Sequence, residues 1–334
     1  MLIRVVGAGI CHSDVHVWEG VWSSTGGAPR RLPHIQSHEI AGVVERVGGE
    51  RVPDAFREGT GVLVYAWQWE HDDMFTAEGL TNLSDSPPLS QASTRTGGFQ
   101  EYYLVPPHYR YLINASGISD LAAAAPPLTC GGLTTYRAVR KAAPYVRPDD
   151  YVAVIGLGGL GGAYAAQYIR KFCPQANLIG IDMKESAVDF VSSITPPLDS
   201  HIVPPHDGDV LSSIRAETHG SGLRAVIDLV GSGTLSTYIR ALAKGGIYVL
   251  VGLMGSGKTD TISPPGSTVL LERNISGSYV GGTLAEQHEV VALARKGVID
   301  YRKPVTARMP LDDAYAGLQA LHSGQVLGRQ VVTP

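Results

Sequence analysis

The chain has 334 residues, of which 44% are hydrophobic and 17% are charged, so it is long enough to form two folded domains. Its 27 basic and 31 acidic residues give a net charge of −4, which provides no electrostatic basis for binding nucleic acid or an anionic membrane surface. Three cysteines without disulfide-like spacing are typical of a reducing compartment. The sequence shows no targeting segment and no uninterrupted apolar run that would span a membrane, so it predicts a cytoplasmic protein.

The first third of the chain has the pattern of a small all-β domain. Short β-branched runs at 2–6, 40–47, 61–65 and 100–105 are separated by glycine and proline. Residues 67–98 are polar and irregular, and they are compatible with either a flexible loop or an ordered lobe at the surface.

From about residue 131 the pattern changes to alternating strands and helices. Apolar strands are predicted at 151–155, 178–181, 225–229 and 246–251, with helices at 160–172 and 234–243. Strand, helix and strand at this spacing predict parallel βαβ units.

The last part of the chain predicts two further helices, near 284–296 and 311–321, and a strand at 328–332. We expect this strand to return to the first domain. The sequence therefore predicts an α/β protein in which residues 1–130 and 280–334 form a β-rich catalytic domain and residues 131–279 form a nucleotide-binding domain.

A glycine-rich loop follows the first strand of the predicted nucleotide-binding domain and opens its first helix. Gly156 allows a tight turn, Gly158 lets the backbone approach a pyrophosphate, and Gly161 lets the helix pack on the strand. The N-terminus of the helix supplies N–H groups and a positive dipole end for the phosphates. The predicted phosphate-binding residues are Gly156, Gly158, Gly159, Leu160 and Gly161.

An acidic residue, Asp182, ends the next predicted strand. Its carboxylate can accept hydrogen bonds from both ribose hydroxyls of NAD, and it would repel the 2′-phosphate of NADP. Lys184 weakens this preference slightly, and the sequence favours NAD over NADP.

Two of the three cysteines lie in short motifs together with a histidine. Cys11 lies in G-I-C-H-S-D-V-H, His38 in S-H-E, and Cys130 in T-C-G-G. Thiolate and imidazole ligands select zinc, and three protein ligands leave a fourth position open for water or substrate. An open zinc site together with a dinucleotide site indicates hydride transfer between an alcohol and a carbonyl compound.

Several motifs in order resemble the zinc-containing alcohol dehydrogenases of the medium-chain dehydrogenase/reductase family. They are G-I-C-H-S-D-V-H at 9–16, H-E-I-A-G-V-V at 38–44, T-C-G-G-L-T-T-Y at 129–136 and V-I-G-L-G-G-L-G at 154–161. The resemblance covers nearly the whole chain. It implies a GroES-like catalytic domain, a Rossmann domain, one catalytic Zn²⁺ per chain, NAD, and reversible oxidation of primary or secondary alcohols. It also implies a homodimer or homotetramer.

The resemblance assigns the metal site residue by residue. Cys11, His38 and Cys130 would hold the catalytic zinc. Glu39 would lie behind the metal as an outer or exchangeable ligand. Asp14 would accept a hydrogen bond from a ligand histidine and so orient it.

The resemblance also implies roles in proton transfer and cofactor binding. Ser13 would receive the hydroxyl proton, and the His16 imidazole would release it to solvent. His12 and Arg329 would lie near the pyrophosphate of the cofactor, and Thr134 near the nicotinamide.

The chain departs from the family at two places. Many relatives carry a structural zinc on four closely spaced cysteines, but residues 69–84 contain no cysteine, and carboxylates and hydroxyls stand near the expected positions: Glu70, Asp73, Thr76 and Ser84. Such groups would not form a structural zinc site, so none is expected here. Ser37 stands before the ligand histidine where glycine is usual.

Three other functions are compatible with the sequence. A polyol or sugar-alcohol dehydrogenase of the same family would use the same site. A zinc-free reductase of this fold would leave Cys11, His38 and Cys130 without a role. A non-catalytic nucleotide-binding protein would bind NAD without turnover.

Overall fold

The structure is a computed structural model of the whole chain. It describes residues 1–20, 33–48, 52–85, 96–105, 109–194, 197–204, 209–231, 233–252 and 265–334. The chain divides into two compact units, Met1–Leu133 with Gly281–Pro334, and Thr134–Val280. None of the helices in the described ranges has the length and hydrophobicity needed to cross a membrane.

The secondary structure alternates short strands with helices in both units. The strands are β1 Leu2–Ile10, β2 Ile40–Arg46, β3 Gly61–Val64, β4 Tyr102–Leu104, β5 Leu112–Asn114, β6 Tyr151–Ile155, β7 Asn177–Ile181, β8 Ser200–Ile202, β9 Leu223–Asp228, β10 Leu242–Leu250, β11 Asn274–Gly277, β12 Val305–Pro310 and β13 Arg329–Thr333. The α-helices are α1 His12–Trp18, α2 Met74–Ala77, α3 Leu121–Thr129, α4 Gly131–Ala142, α5 Leu160–Phe172, α6 Glu185–Ile194, α7 Val210–Glu217, α8 Leu235–Tyr238, α9 Pro265–Leu270, α10 Leu284–Arg295 and α11 Ala314–His322. Short 3₁₀ turns occur at Asp54–Phe56, Thr81–Leu83, Tyr109–Tyr111, Ala143–Tyr145, Ile239–Ala241 and Leu311–Asp313.

The first unit is built on a sheet with the order β12-β13-β1-β2-β3-β5, in which β4 also pairs with β1. All these pairings are antiparallel except that of β12 with β13. The inward-facing side chains Ile3, Val5, Ile40, Val44 and Val62 form its apolar core. The predicted β-rich region is therefore confirmed, and the predicted last strand pairs with β1.

Helix α3 ends at Cys130 although it contains two consecutive prolines, Pro126 and Pro127. Proline inside a helix removes a backbone hydrogen bond, so the sequence alone argues against a helix here. The helix is held at its start by Asp120, whose carboxylate accepts from the N–H of Ala123 and pairs with Arg308.

Helix α3 also lies very close to β1. A Cβ atom on Gly7 would lie 2.6 Å from the Cα atom of Ala122. Glycine is therefore needed at this position, because the helix backbone lies directly on the strand. This contact brings the C-terminal end of α3 to the end of β1.

The second unit contains a parallel sheet with the order β11-β10-β9-β6-β7-β8. The predicted strand 151–155 and helix 160–172 coincide with β6 and α5. The predicted parallel βαβ architecture is confirmed by these pairings.

The helix predicted at 234–243 is shorter than expected. Helix α8 ends at Tyr238, and Leu242 already pairs with Leu223 as the first residue of β10. The register between these strands shifts before Ile247, and Gly245 in this stretch has a φ of +63°. A 3₁₀ turn, Ile239–Ala241, therefore follows α8, and the bulge with its left-handed glycine lies within β10.

Ser37 adopts a left-handed backbone conformation, with a φ of +76°. This conformation costs a residue with a Cβ atom roughly 1–2 kcal/mol. Three bonds hold it in place: its N–H donates to Asp14 Oδ1 at 2.9 Å, its hydroxyl donates to the carbonyl of Gly9 at 2.9 Å, and its carbonyl accepts from Gly98. The departure from glycine is therefore explained by the hydroxyl, which ties the segment before His38 to β1.

We predict different effects for two small substitutions at Ser37. Ser37→Ala keeps the backbone strain and leaves the Gly9 carbonyl without its donor, so it should lower the free energy of unfolding by about 1–2 kcal/mol. Ser37→Gly loses the same bond but relieves the strain, so it should be close to neutral. Denaturant unfolding of the two variants tests this, and equal losses in both would refute the strain argument.

Candidate active site

Four potential metal ligands come together in the first unit. Cys11 follows β1, His38 and Glu39 precede β2, and Cys130 follows α3. Strands β1 and β2 are antiparallel neighbours, and the N–H of Gly9 donates to the carbonyl of Glu39 at 2.9 Å. The end of β1 and the start of β2 therefore meet, and α3 brings Cys130 to the same place.

The geometry of this group fits a zinc ion. One ligand atom from each of the four residues lies within 4.8 Å of all the others, and His38 Nε2 lies 3.3 Å from Cys130 Sγ. A tetrahedral zinc with bonds of about 2.0–2.3 Å separates its ligand atoms by roughly 3.3–3.8 Å. All four residues are buried, so bulk water does not compete for these donors.

The surroundings of Cys11 favour the anionic form of its thiol. A hydrogen bond from Cys130 and the neighbouring positive charges of Arg329 and His38 hold the pKa of Cys11 well below its usual value, despite burial. The pKa of His38 rises to about 9, because hydrogen bonding and attraction to the Cys11 thiolate outweigh burial. A thiolate is the form of cysteine that binds metal, so the protein favours the ligand form of Cys11.

Glu39 is completely buried and pairs with Arg329, whose Nη2 lies 3.0 Å from Glu39 Oε1. Its other oxygen, Oε2, has no hydrogen-bond partner among the described residues. A Cβ atom on Gly9 would lie 1.9 Å from this oxygen, so glycine is needed there. Burial raises the pKa of Glu39 to about 8, although Arg329 opposes the shift. A buried oxygen without a partner beside three soft donors fits an exchangeable metal ligand.

Arg329 is buried and contacts two of the four potential metal ligands, Glu39 and Cys11. Its guanidinium also donates to the carbonyl of Ile10 at 3.1 Å and lies 3.6 Å from Cys11 Sγ. Strand pairing explains this position, because Ile10 on β1 is opposite Gln330 on β13. Its predicted role at the cofactor pyrophosphate stays a prediction.

Asp14 supports the ligand segments through their backbones. Its two carboxylate oxygens accept from the N–H of Cys11 and from the N–H of Ser37, both at 2.9 Å. We expected a bond from a ligand histidine instead. Among the described residues the His38 ring contacts Cys130, and Asp14 orients the two ligands by bonding the chain at Cys11 and next to His38.

The residues predicted for proton transfer lie on α1, immediately after Cys11. Ser13 Oγ is 3.8 Å from Cys11 Sγ, and Ser13 and His16 are both partly exposed. Residues three apart share one face of a helix, so Ser13 and His16 lie on the same side of α1. His12 is exposed, and its ring centroid lies 6.4 Å from that of His16.

The cysteine-free segment forms an ordered lobe over residues 67–85, while residues 86–95 lie outside the described part of the chain. Asp73 is its centre: Oδ1 accepts from the N–H of Thr76 at 2.8 Å, and Oδ2 accepts from Ser84 Oγ at 2.7 Å and from the N–H of Asp85 at 2.6 Å. Asp73 thus bonds two of the other residues near the expected zinc positions, Thr76 and Ser84, and these hydrogen bonds connect the start and the end of the lobe.

Aromatic packing holds the start of the same lobe. The Trp69 and Tyr111 rings meet edge to face at 5.1 Å, and the Arg110 guanidinium lies 4.6 Å from the Trp69 ring centroid. Thr81 connects the end of the lobe to the rest of the unit, because it bonds Tyr65 and accepts from the N–H of Leu284. The flexible-loop alternative therefore does not apply to residues 67–85.

The glycine loop lies in the second unit between β6 and α5. Gly156 has a φ of +88°, which makes the tight turn possible. A Cβ atom on Gly161 would lie 3.0 Å from Leu229 Cδ1, whereas one on Gly162 would lie 2.6 Å from the backbone of Leu157. The closest helix-to-loop approach is therefore at Gly162, which we did not predict, although the adjacent pair of glycines was a visible signal.

The remaining residues predicted for cofactor binding occupy the same unit. Gly159 is the N-cap of α5, and Leu160 begins that helix, with a side chain outside the described part. Asp182 Oδ2 accepts from the N–H of Leu157 at 2.7 Å and from that of Gly158 at 3.1 Å. Thr134 is buried on α4. The structure thus places Asp182 beside the glycine loop, and its role at the ribose stays a prediction.

Comparisons with known proteins agree with this description. Residues 1–115 match the family model described as alcohol dehydrogenase GroES-like domain, and residues 156–296 match the one described as zinc-binding dehydrogenase. An NAD-dependent alcohol dehydrogenase of Saccharolobus solfataricus is 37% identical, over 100% of this chain and 92% of that protein. A D-arabinose 1-dehydrogenase (NADP(+)) of the same organism is 32% identical, over 100% of this chain and 90% of that protein.

A solved structure shows the same fold. The alcohol dehydrogenase of Aeropyrum pernix superposes with a TM-score of 0.84 at 28% identity, covering 100% of this chain and 92% of that one. The predicted fold class, a GroES-like β-rich domain with a Rossmann domain, is confirmed. The chain contains the buried group of Cys11, His38 and Cys130 and a glycine loop, and its matches cover both domains. It therefore belongs to the zinc-containing alcohol dehydrogenases of the medium-chain dehydrogenase/reductase family.

Proposed function

We propose that this enzyme transfers a hydride between primary or secondary alcohols and NAD, reversibly, with Cys11, His38 and Cys130 as the ligands of its catalytic zinc. The convergence of these buried donors within 4.8 Å carries the proposal. When bound, zinc acts as a Lewis acid that polarises a carbonyl or stabilises an alkoxide. Glu39 is the adjacent exchangeable ligand, and Arg329 keeps it in place.

Ser13 and His16 are proposed to move the hydroxyl proton. Ser13 lies beside the ligand Cys11, where its Oγ can accept the proton from the substrate oxygen. His16 is on the same face of α1 and is partly exposed, so its imidazole can pass the proton to water.

NAD binding is proposed to use the glycine loop, Asp182, His12 and Thr134. The N–H groups at the start of α5 suit a pyrophosphate. Asp182 lies beside the loop and bears the negative charge that disfavours a 2′-phosphate.

A sugar is the alternative substrate. The D-arabinose 1-dehydrogenase (NADP(+)) relative supports this alternative, and Asp182 argues against NADP in the present chain. Comparing kcat/KM for simple alcohols, polyols and aldoses decides between them.

The metal content is expected to be one zinc per chain. Cys130→Ala should lose zinc and activity, because it removes one of three ligands. Cys173→Ala is the matched control: Cys173 is also a buried free cysteine, but it lies outside the ligand group, so its zinc content should be unchanged. Elemental analysis of the purified proteins measures this. Two tightly bound zincs, or a zinc-free enzyme with full activity, would contradict the assignment.

Coenzyme choice is expected to depend on Asp182. Asp182→Asn keeps an acceptor for the loop N–H groups but removes the charge, so the kcat/KM ratio for NAD over NADP should fall at least about tenfold. Asp199→Asn is the control, because Asp199 also accepts a backbone N–H, from Leu178, at the other end of β7. An unchanged coenzyme ratio in the Asp182 variant would reject this role.

We also propose a cytoplasmic homodimer or homotetramer. Strand β11 is the last strand of its sheet and pairs only with β10 among the described strands. Nearby side chains are exposed and apolar, with Ile275 40%, Val269 75% and Leu270 83% accessible. An exposed strand edge with apolar neighbours is suited to association with a second copy.

The test is the molar mass in solution by light scattering. Ile275→Lys should shift the assembly to smaller species, because it places a charge at the proposed contact. Val298→Lys, at an apolar side chain of similar exposure, 38%, in the first unit, should not. A monomeric parent protein, or an Ile275 variant with unchanged mass, would be evidence against this interface.

A further inference from the structure

Helix α1 is held against α11 within the first unit. Val15 of α1 belongs to a buried cluster with Leu318 and Leu321 of α11. At the end of α1, the Trp18 ring meets Tyr315 at 5.8 Å and His322 at 5.4 Å, both edge to face. The end of the helix that carries Ser13 and His16 is therefore fixed from a second element.

A carboxylate lies at this junction between two histidines. Glu19, the C-cap of α1, has Oε1 2.8 Å from His322 Nε2 and Oε2 3.9 Å from His16 Nδ1. The first distance is a direct hydrogen bond, and the second is an ion-pair distance. A carboxylate at the end of a helix opposes the helix dipole. Glu19 is thus kept in an unfavourable position by the contact with His322.

We propose that Glu19 and His322 are positioning residues for the proton relay, and that Glu19 orients His16 while His322 holds Glu19. The proposal rests on the role of His16 under the proposed function. The carboxylate faces Nδ1 and favours the tautomer with its proton on that nitrogen. The Nε2 atom is then the free base that receives the proton.

The proton balance of this arrangement is simple. The substrate hydroxyl gives its proton to Ser13 Oγ as the Ser13 proton leaves toward His16 Nε2. His16 then carries protons on both nitrogens until Nε2 releases one to water. The Glu19 carboxylate stays ionised throughout and stabilises the positive ring. Among the described residues, the charged and titratable groups that contact His16 are Glu19 and His12 on its own helix, and His322 reaches Glu19 from α11.

The experiment measures kcat, KM and the pH profile of alcohol oxidation for the zinc-loaded enzyme. Glu19→Gln should lower kcat about 3- to 10-fold with little change in KM, a smaller loss than the roughly 10²–10⁴-fold of general acid–base groups. Glu19→Gln removes the charge beside His16, so the pH profile of kcat should differ from that of the parent enzyme. Glu78→Gln is the matched control, because Glu78 is also an exposed C-cap glutamate, on α2.

Two variants of His322 separate its hydrogen bond from its packing. His322→Phe keeps a ring against Trp18 but removes the donor, and it should reproduce the Glu19→Gln effect in part. His322→Gln restores a donor and should recover most of kcat. Equal activity of the Phe and Gln variants would overturn the role of His322.

The His16→Asn variant separates a failure of the proton relay from a failure of the positioning role of Glu19 and His322. If Glu19 acts through His16, Glu19→Gln should have no further effect on kcat in that background. If His16→Asn leaves kcat unchanged, the relay assigned to His16 fails. If His16→Asn lowers kcat but Glu19→Gln changes neither kcat nor the pH profile, only the positioning role of Glu19 and His322 is overturned.

Discussion

The ligand site depends on a buried pair of opposite charges, Glu39 and Arg329, beneath the ends of β1 and β2. Taking a carboxylate and a guanidinium out of water costs several kcal/mol for each, and the attraction between the two groups and their hydrogen bonds must offset that cost. Arg329 bonds Glu39 and the Ile10 carbonyl and lies 3.6 Å from the Cys11 sulfur, while its Nε and Glu39 Oε2 have no partner among the described residues. These contacts connect Arg329 on β13 to the end of β1 and to the start of β2. The pairing of β13 with β1 therefore also places Arg329 beside the metal ligands.

The first unit uses two different ways to hold its irregular segments. Around the metal ligands, soft donors meet at one point, and Asp14 and Ser37 hold the segments that carry them through backbone bonds. In the lobe, the Asp73 carboxylate accepts hydrogen bonds from the N–H of Thr76, from the Ser84 hydroxyl and from the N–H of Asp85. A carboxylate surrounded by N–H and O–H donors satisfies its charge locally. The metal ligand group and the hydrogen bonds of Asp73 share no residue. The lobe can therefore lack cysteine without any change to the catalytic zinc site.

The nucleotide loop of the second unit depends on close backbone approach. At Gly162 there is no space for a side chain beside the backbone of Leu157. Asp182, which follows β7, accepts a hydrogen bond from the N–H of Leu157 in the same turn. A parallel sheet places the carboxyl ends of β6 and β7 side by side, so a residue after one strand can bond the loop after the other.

Periodicity and motif spacing determined the fold class, the strand β6, the helix α5 and the composition of the metal ligand group. These features are local, or they require only that certain residue types exist. The lengths of α8 and β10, the helix α3 through two prolines, and the position of Arg329 beside Glu39 were decided by the tertiary structure. A side chain 290 residues away in sequence has no local signal for its partner. Its position follows from strand pairing and burial, which exist only once the chain has folded.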